Sequence, residues 1–315
     1  MKAVFLDSYA LNPGDLDVSG MKKICPTTFF DRTETVDLAI ERIKDADIVV
    51  SNKTPITKEV LDACPSIKYV TVTATGYNII DTEECAKRNV AVSNVPNYST
   101  NSVSQHIFAL LLEITNHVAD HHKAVSNGKW QTCPDYTFQV SRLVEIAGKT
   151  IGFIGMGAIG SKAAEIAQAF GMKTVCYHSS RTLKNCEHLS LDALLKISDV
   201  VALCCPLTSD NKDIINRETI SKMKDGAILI NTSRGGLIDE DALSEALLSG
   251  KLAGAGLDVL KTEPPKDSSP LINAPNCIIT PHIAWAPKET RARLLFETEE
   301  NIKGFINGCV RNKVN

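Results

Sequence analysis

The feature that most constrains this 315-residue chain is the spacing of Gly155, Gly157 and Gly160 in the segment IGFIGMGAIG. A β-branched run precedes these glycines, and a good helix former, SKAAEIAQAF, follows them. The spacing predicts a strand that enters a helix through a tight turn, because the first glycine permits the turn and the third lets the helix pack on the strand. The second glycine lets the backbone approach a pyrophosphate at the helix N-terminus. The segment therefore predicts a dinucleotide-binding βαβ unit.

The second strand of that unit lacks the residue that usually selects NAD. An Asp or Glu about 20 residues after the glycines normally binds the ribose hydroxyls. Here His178 stands near that place and is followed by Ser179, Ser180 and Arg181. This neutral-to-basic set would suit a 2′-phosphate, so NADP(H) is an open alternative to NAD. The other interpretation is that Arg181 is a solvated loop residue and that the backbone alone holds NAD.

The chain length predicts two domains, and the hydrophobic pattern places both in the α/β class. Short β-branched runs alternate with amphipathic stretches over the first hundred residues, and the alternation restarts at Lys149. Between the two regions we predict a single helix from about Ser99 to Val125, followed by an aperiodic arm or loop. The predicted strands are Lys2–Leu6, Asp47–Ser51, Lys68–Ala74, Val90–Asn94, Thr150–Ile154, Lys173–Tyr177, Asp199–Cys204, Ala227–Asn231, Ala253–Val259 and Cys277–Thr280.

Composition excludes several classes of protein. The 34 Lys and Arg residues against 37 Asp and Glu give a net charge of -3 without a basic block, so nucleic acid is not an expected partner. No apolar run is long enough for a membrane span or a signal peptide, and we expect a cytoplasmic protein. Ten cysteines occur without a C-x-x-C pair, so we expect reduced thiols and no metal site.

Three polar residues follow predicted strands of the second half. Arg234 lies in ILINTSRGGLID, Glu263 in AGLDVLKTEPP and His282 in IITPHIAWAP. Open α/β sheets bind ligands beyond the carboxyl ends of their strands, and each of these residues stands beside Gly or Pro. We therefore predict that the three residues form one site.

The three residue types suit the reduction of a 2-oxo acid. Arg234 can grip a carboxylate and a carbonyl oxygen in a forked geometry. Histidine is the side chain that usually changes charge near neutral pH, so His282 can give a proton to the developing alkoxide. Glu263, if hydrogen-bonded to the His282 ring, would hold its tautomer and favour the imidazolium. Hydride would come from a dihydronicotinamide.

Seven segments resemble, in the same order, the D-isomer-specific 2-hydroxyacid dehydrogenases. They are TATGYNIID, NVPNYSTNSVSQHIFALLL, AGKTIGFIGMGAIG, CCPLTSDNKDIIN, INTSRGGLIDEDAL, AGAGLDVLKTEPP and TPHIAWAP. Within this family, the ATGYN and HIAWA segments are most similar to members that reduce hydroxypyruvate to D-glycerate. The resemblance implies that activity for this chain, with glyoxylate as a second substrate. D-lactate-type and phosphoglycerate-type dehydrogenases are alternatives.

The resemblance implies roles for individual residues. Arg234, Glu263 and His282 are the implied catalytic residues. Thr75, Gly76 and Tyr77 would bring backbone N–H groups to the substrate carboxylate. Arg234 and Trp285 would also contact the substrate. The implied cofactor contacts are Gly155, Gly157, Ala158, Ile159, Gly160, His178, Ser180, Arg181, Pro206, Thr208, Thr232, Ser233, Asp258 and His282.

The resemblance also implies the domain arrangement. A Rossmann dinucleotide-binding domain, 99–283, would be inserted into a flavodoxin-like substrate domain made of 1–98 and 284–315, with the site in the cleft between them. The stretch from about His117 to Ala147 would be the arm of a homodimer. The chain ends soon after His282, which leaves no room for the regulatory tail of many phosphoglycerate dehydrogenases.

A function of another class is also open. Some proteins of this fold act as dinucleotide-sensing binding partners in transcription and keep the three polar residues. This chain lacks the long flanking extensions that such a role would require. Saturable turnover of an oxo acid would separate an enzyme from a sensor.

Overall fold

The computed structural model describes residues 1–179, 183–265 and 269–315. The described residues form two compact units, one made of Met1–Ser99 and Trp285–Asn315 and the other of Thr100–Ala284. We call them the first unit and the second unit. Each contains a parallel sheet with helices packed on it.

The first unit is built on a five-stranded sheet. Three of its helices begin with side-chain caps, since Thr35, Thr57 and Asp81 each accept a hydrogen bond from the first turn. Its strands, ordered β2-β1-β3-β4-β5, are β1 (Ala3–Phe5), β2 (Thr27–Phe29), β3 (Ile48–Ser51), β4 (Tyr69–Val72) and β5 (Ala91–Ser93). Its helices are α1 (Ser19–Ile24), α2 (Val36–Ile43), α3 (Lys58–Ala63), α4 (Thr82–Lys87) and the C-terminal α11 (Lys288–Ile306).

The C-terminal helix completes the core of the first unit. Leu294, Leu295 and Ile302 of α11 are buried among side chains of the sheet. The rings of Tyr69 on β4 and Phe305 on α11 stack with centroids 4.4 Å apart. The last helix is therefore part of the same unit as the first hundred residues.

The second unit is built on a seven-stranded sheet with the order β12-β11-β10-β9-β6-β7-β8. The strands are β6 (Thr150–Met156), β7 (Lys173–Ser179), β8 (Cys186–His188), β9 (Val200–Leu203), β10 (Ala227–Asn231), β11 (Leu252–Leu257) and β12 (Cys277–Ile279). The helices are α5 (Thr100–Asn116), α6 (Val118–Ser126), α7 (Ala158–Ala169), α8 (Leu191–Ile197), α9 (Arg217–Lys222) and α10 (Glu240–Leu248).

The two strand orders confirm the predicted fold class. Neighbouring strands are parallel throughout both sheets. The order 2-1-3-4-5 of the first unit is that of flavodoxin-like sheets, and the second unit places its first strand between its second and its fourth, as Rossmann sheets do. The second unit is inserted into the sequence of the first.

Small residues on β11 let α5 lie close to the sheet of the second unit. A Cβ on Gly254 would stand 2.8 Å from Ile114, and one on Gly256 would stand 2.8 Å from Leu110. Side chains at these positions would push α5 outward. The glycines therefore fix the position of α5 relative to the strands that end in the candidate site.

The prediction of one helix from Ser99 to Val125 is wrong. His117 adopts a left-handed conformation (φ 47°) between α5 and α6, and this residue interrupts the helix. The carboxylate of Glu113 accepts a hydrogen bond from the N–H of Ala119 at 3.1 Å, which stabilises the new helix start. No helix among the described residues combines the length and the hydropathy needed to cross a membrane.

Candidate active site

The three glycines around the turn from β6 to α7 serve two different purposes. Gly155 has φ +98°, and a Cβ there would stand 2.8 Å from the carbonyl carbon of Cys204. A Cβ on Gly160 would stand 2.4 Å from the Gly155 oxygen. Gly157, the N-cap of α7, faces open space, with no atom within 4 Å of a built Cβ. Gly155 and Gly160 therefore serve packing, and Gly157 keeps the approach to the helix N-terminus clear for a ligand.

The place of the expected acidic residue is occupied by His178 near the end of β7. Its side chain is exposed, its φ is +54°, and its ring meets that of Tyr177 edge-on with centroids 4.4 Å apart. Ser180 and Arg181, the other predicted ribose contacts, lie outside the described residues. No carboxylate therefore stands at position 178, and the two flanking assignments stay predictions.

The loop after β9 is closed by a single asparagine. Asn211 accepts a hydrogen bond from the Thr208 N–H and donates one to the Pro206 carbonyl, both at 2.8 Å. Since β9 pairs with β6, this exposed loop lies at the same sheet edge as the glycine turn. Pro206 and Thr208 therefore stand where a ligand at that turn could touch them.

Arg234 follows β10 in a loop that Asn231 holds from inside. Asn231 is fully buried, accepts from the Ser233 N–H and donates to the Arg234 carbonyl, each at 2.9 Å. The Ser233 hydroxyl donates to the Leu203 carbonyl at 2.8 Å. The Arg234 side chain is exposed, and its guanidinium donates to the Ser233 carbonyl. The loop backbone is thus fixed, while most donors of the guanidinium point to solvent.

Glu263 and His282 form a direct pair. The Nδ1 atom of His282 lies 2.6 Å from Oε2 of Glu263, and the Glu263 Oε1 atom accepts from the Leu260 N–H at 3.0 Å. The side chains are partly exposed, His282 by 29% and Glu263 by 31%. Because the carboxylate fixes a proton on Nδ1, Nε2 is the ring atom that can exchange a proton with a bound molecule.

Asp258 organises the loop that carries His282. The carboxylate is 1% exposed and accepts from the Thr280 hydroxyl at 2.6 Å and from the N–H groups of Ile283 and Ala284 at 2.8 and 2.9 Å. Burial alone would raise the pKa of Asp258, but hydrogen bonds from His106, Thr280 and the two N–H groups outweigh it and lower the pKa. Asp258 is therefore ionised at neutral pH and anchors the loop from inside.

The structure brings the three predicted catalytic residues to neighbouring strand ends of one sheet. Arg234 follows β10, Glu263 follows β11 and His282 follows β12, which lie side by side. The loops meet at Gly235, where a Cβ would stand 2.0 Å from the carbonyl carbon of Leu260. Only glycine fits there, so the Arg234 loop and the loop leading to Glu263 are held in contact.

The remaining predicted residues take different positions. Ala158 and Ile159 form the first turn of α7, and Thr232 follows β10 with a buried hydroxyl that has no partner among the described residues. Thr75, Gly76, Tyr77 and Trp285 belong to the first unit, where the Thr75 hydroxyl donates to the Val95 carbonyl at 3.0 Å and Trp285 packs against the core. Their substrate contacts stay predictions.

Sequence reasoning missed two residues that shape the site. Asn231 is the last residue of the buried strand β10. A polar residue at the end of that apolar run is the sequence signal that could have indicated its role. His106 lies on α5 with its Nε2 atom 2.9 Å from the Thr280 hydroxyl. Its partner is 174 positions away in the chain, so no local pattern indicates the contact.

Comparison with known proteins defines the class that this sheet and its polar strand ends belong to. Residues 108–284 match the family model of the D-isomer specific 2-hydroxyacid dehydrogenase, NAD binding domain. The chain belongs to the D-isomer specific 2-hydroxyacid dehydrogenases.

The similar proteins include two curated relatives and one solved structure. A hydroxypyruvate reductase of Blautia hydrogenotrophica is 49% identical, with all of both chains covered. A glycerate dehydrogenase of Methylorubrum extorquens is 36% identical over 99% of this chain and 98% of the relative. The structure of an acyclic imino acid reductase in complex with NADPH and D-Arg is 33% identical, covers both chains completely and has a TM-score of 0.87.

Proposed function

We propose that this dehydrogenase reduces hydroxypyruvate to D-glycerate with NAD(P)H and accepts glyoxylate as a second substrate. The observation that carries the proposal is the contact of 2.6 Å between His282 Nδ1 and Glu263 Oε2, beside the strand end that presents Arg234. The 49% identity to a hydroxypyruvate reductase over the whole chain supports the substrate.

The glycine turn fits a dinucleotide. Gly157 leaves open space at the N-cap of α7, where the helix presents unpaired N–H groups and partial positive charge to a pyrophosphate. The buried Thr232 hydroxyl, which has no partner among the described residues, is a further group that a ligand could satisfy. A bound dihydronicotinamide supplies the hydride that the protein itself cannot provide.

The side chains of the second unit supply binding and proton transfer. Arg234 binds the carboxylate and the carbonyl oxygen of the oxo acid through its fork of N–H donors. His282, protonated on both ring nitrogens, gives the Nε2 proton to the oxygen as negative charge develops there. Glu263 accepts the Nδ1 hydrogen bond throughout, which keeps the ring oriented.

The choice between NAD and NADP depends on the end of β7. A carboxylate there would repel a 2′-phosphate, and this chain has His178 instead. NADPH is therefore an admissible donor beside NADH. Ser180 and Arg181 are the residues that would bind the phosphate.

Two wider expectations belong to the proposal. All ten cysteines lie in the described part of the chain and are free thiols, in keeping with a cytoplasmic location. The segment 117–147, which we call the arm, carries exposed apolar side chains that would suit a homodimer interface.

A matrix of substrates and cofactors tests the proposal. Hydroxypyruvate, glyoxylate, pyruvate and phosphohydroxypyruvate are each assayed with NADH and with NADPH by the loss of reduced nicotinamide absorbance. We expect the highest kcat/KM with hydroxypyruvate and a lower one with glyoxylate. Faster turnover of pyruvate or phosphohydroxypyruvate would overturn the substrate, and tight dinucleotide binding without any turnover would favour a sensor.

A further inference from the structure

A line of polar contacts connects α5 to the loop that carries His282. His106 projects from α5 with 18% of its side chain exposed, and its Nε2 atom lies 2.9 Å from the Thr280 hydroxyl. The hydroxyl is in turn 2.6 Å from Oδ1 of Asp258. The same His106 atom is 3.4 Å from that carboxylate oxygen. None of the three side chains is needed in the proposed chemistry itself.

The direction of the hydrogen bonds follows from the number of protons available. An ionised carboxylate only accepts, so the Thr280 hydroxyl gives its single proton to Asp258. Thr280 can then only accept from His106, and Nε2 of His106 must carry a hydrogen. The donors run from His106 through Thr280 to Asp258, whose other donors are the N–H groups of Ile283 and Ala284.

The contacts end on the backbone around a strained residue. His282 has φ +55°, a left-handed conformation that is strained for a residue with a side chain. Its own N–H donates to the carbonyls of Asp258 and Thr280, each at 2.9 Å. Residues on both sides of His282 are thus tied to the Asp258 and Thr280 pair, which is the arrangement needed to keep a strained conformation in place.

We propose that His106 is a positioning residue that acts through Thr280 and Asp258 to hold the ring of His282 on Glu263. The inference rests on the proposed role of His282 as the proton donor. The lowered pKa of Asp258, to which the hydrogen bond from His106 contributes, agrees with this arrangement. Since α5 is itself seated against Gly254 and Gly256 of β11, the helix supplies a rigid support for the donor.

The first test compares two substitutions of His106, one that removes its hydrogen-bond donor and one that keeps a donor. His106→Leu removes the N–H, whereas His106→Gln keeps an N–H donor at similar reach. We expect His106→Leu to lower kcat roughly 10-fold or more, because small displacements of a catalytic group have effects of this order. KM and the NADH dissociation constant should stay within about twofold, and His106→Gln should restore most of kcat.

Controls separate positioning from helix packing. Gln105→Leu changes the neighbouring exposed position of α5 and should leave kcat and Tm unchanged. Thr280→Val, which replaces the hydroxyl by a methyl group, should reproduce His106→Leu, and the double variant should be no worse than either single one. Thr280→Val also carries the test if His106→Leu does not fold.

A His282→Ala background tests whether the effect of His106 on turnover passes through His282. If His106 acts through His282, His106→Leu should not reduce the residual turnover of His282→Ala any further. Equal loss in both backgrounds, wild-type kcat in His106→Leu, or equal impairment of His106→Leu and His106→Gln would each overturn the inference. Near-normal turnover of His282→Ala alone would instead overturn the proposed function, so the two failures are distinguishable.

Discussion

His282 occupies a backbone conformation that most side chains avoid, and the surrounding loop explains why it stays there. The N–H groups of residues 282, 283 and 284 all donate to Asp258 or Thr280. These hydrogen bonds offset the strain of the left-handed φ and leave the ring facing Glu263. At the residue scale, the proposed proton donor is therefore held through both its backbone and its ring.

Replacement of His282 by alanine should abolish proton transfer and leave dinucleotide binding almost unchanged. We expect kcat to fall about 100-fold or more, the usual contribution of a positioned acid. Steady-state kinetics with hydroxypyruvate measures the loss, and quenching of protein fluorescence by NADH measures the dissociation constant. His188→Ala is the matched control, because His188 is an exposed histidine of the same unit. Turnover near that of the control would remove the acid role of His282.

The sequence indicates the three polar strand ends but not their supports. Arg234, Glu263 and His282 stand beside glycine or proline after predicted strands, and parallel strands bring such ends together. The contact between Glu263 and His282, which the sequence alone leaves as a condition, is present. Asn231 and His106 could not be assigned, because hydrogen bonds between distant segments leave no local signature.

At the scale of the elements, two glycines of the turn between β6 and α7 have different roles. Gly155 serves packing, and Gly157 serves ligand binding. Gly155→Ala forces a side chain into a left-handed position and against the Cys204 carbonyl, so we expect a loss of about 2 kcal/mol or more in stability. Gly157 has an ordinary φ of -83°, and open space surrounds a Cβ built on it. The variant Gly157→Ala should therefore leave Tm unchanged. A methyl group there would obstruct the pyrophosphate and raise the NADH dissociation constant roughly tenfold.

Thermal melts and NADH titrations of the two glycine variants check this prediction. The expected result is a fall in Tm for Gly155→Ala and a selective loss of affinity for Gly157→Ala. Unchanged NADH affinity in a well-folded Gly157→Ala would contradict binding at the N-terminus of α7. The Gly155 variant serves as the comparison that distinguishes a folding defect from a binding defect.

Elements with strong hydrophobic patterns are predictable from the sequence, whereas two edge strands and a break between helices are not. The buried strands β3, β4, β9 and β10 coincide closely with β-branched runs. The three-residue strands β2 and β8 lie at sheet edges with partly exposed residues, so they lack such a run and were missed. The break at His117 depends on a single left-handed residue, which periodicity does not indicate.

The contact between α1 and α11 contains a carboxylate whose pKa is shifted upward. A Cβ on Gly20 would stand 2.5 Å from the Glu299 carboxylate, and burial raises the pKa of Glu299. The folded protein therefore binds this proton more tightly than the unfolded chain does. The contribution to stability is full below the unfolded pKa of about 4.3 and is lost as pH rises through the folded pKa.

Glu299→Gln should consequently raise Tm at pH 7, because the amide stays uncharged in the same place. The gain should shrink as pH falls towards 4, where Glu299 of the wild type is protonated. Glu300→Gln is the matched control on the same helix: the hydrogen bond from Lys303 lowers the pKa of Glu300, so its neutralisation brings no gain. Melting curves from pH 4 to 7 test this pair. A Glu299→Gln Tm at or below wild type at pH 7 would contradict it.

At the scale of the whole molecule, the arm is the segment whose surface is least explained by the folded chain. Helix α6 has no buried residue, and Val118, Trp130 and Tyr136 are 62%, 53% and 90% exposed. Exposed apolar side chains on one segment would suit a protein interface. This observation supports the predicted homodimer with the arm as its contact.

Charges placed on the arm should dissociate that dimer. We expect the double variant Val118→Asp, Tyr136→Asp to sediment as a monomer at micromolar concentration, because each carboxylate would have to be desolvated in the interface. The wild type should sediment as a dimer under the same conditions. Phe296→Asp is the control, since Phe296 is 55% exposed on α11, outside the arm, and this variant should remain dimeric. Analytical ultracentrifugation measures all three. A monomeric wild type would contradict the predicted homodimer. A dimeric double variant would show that the dimer interface lies outside the arm.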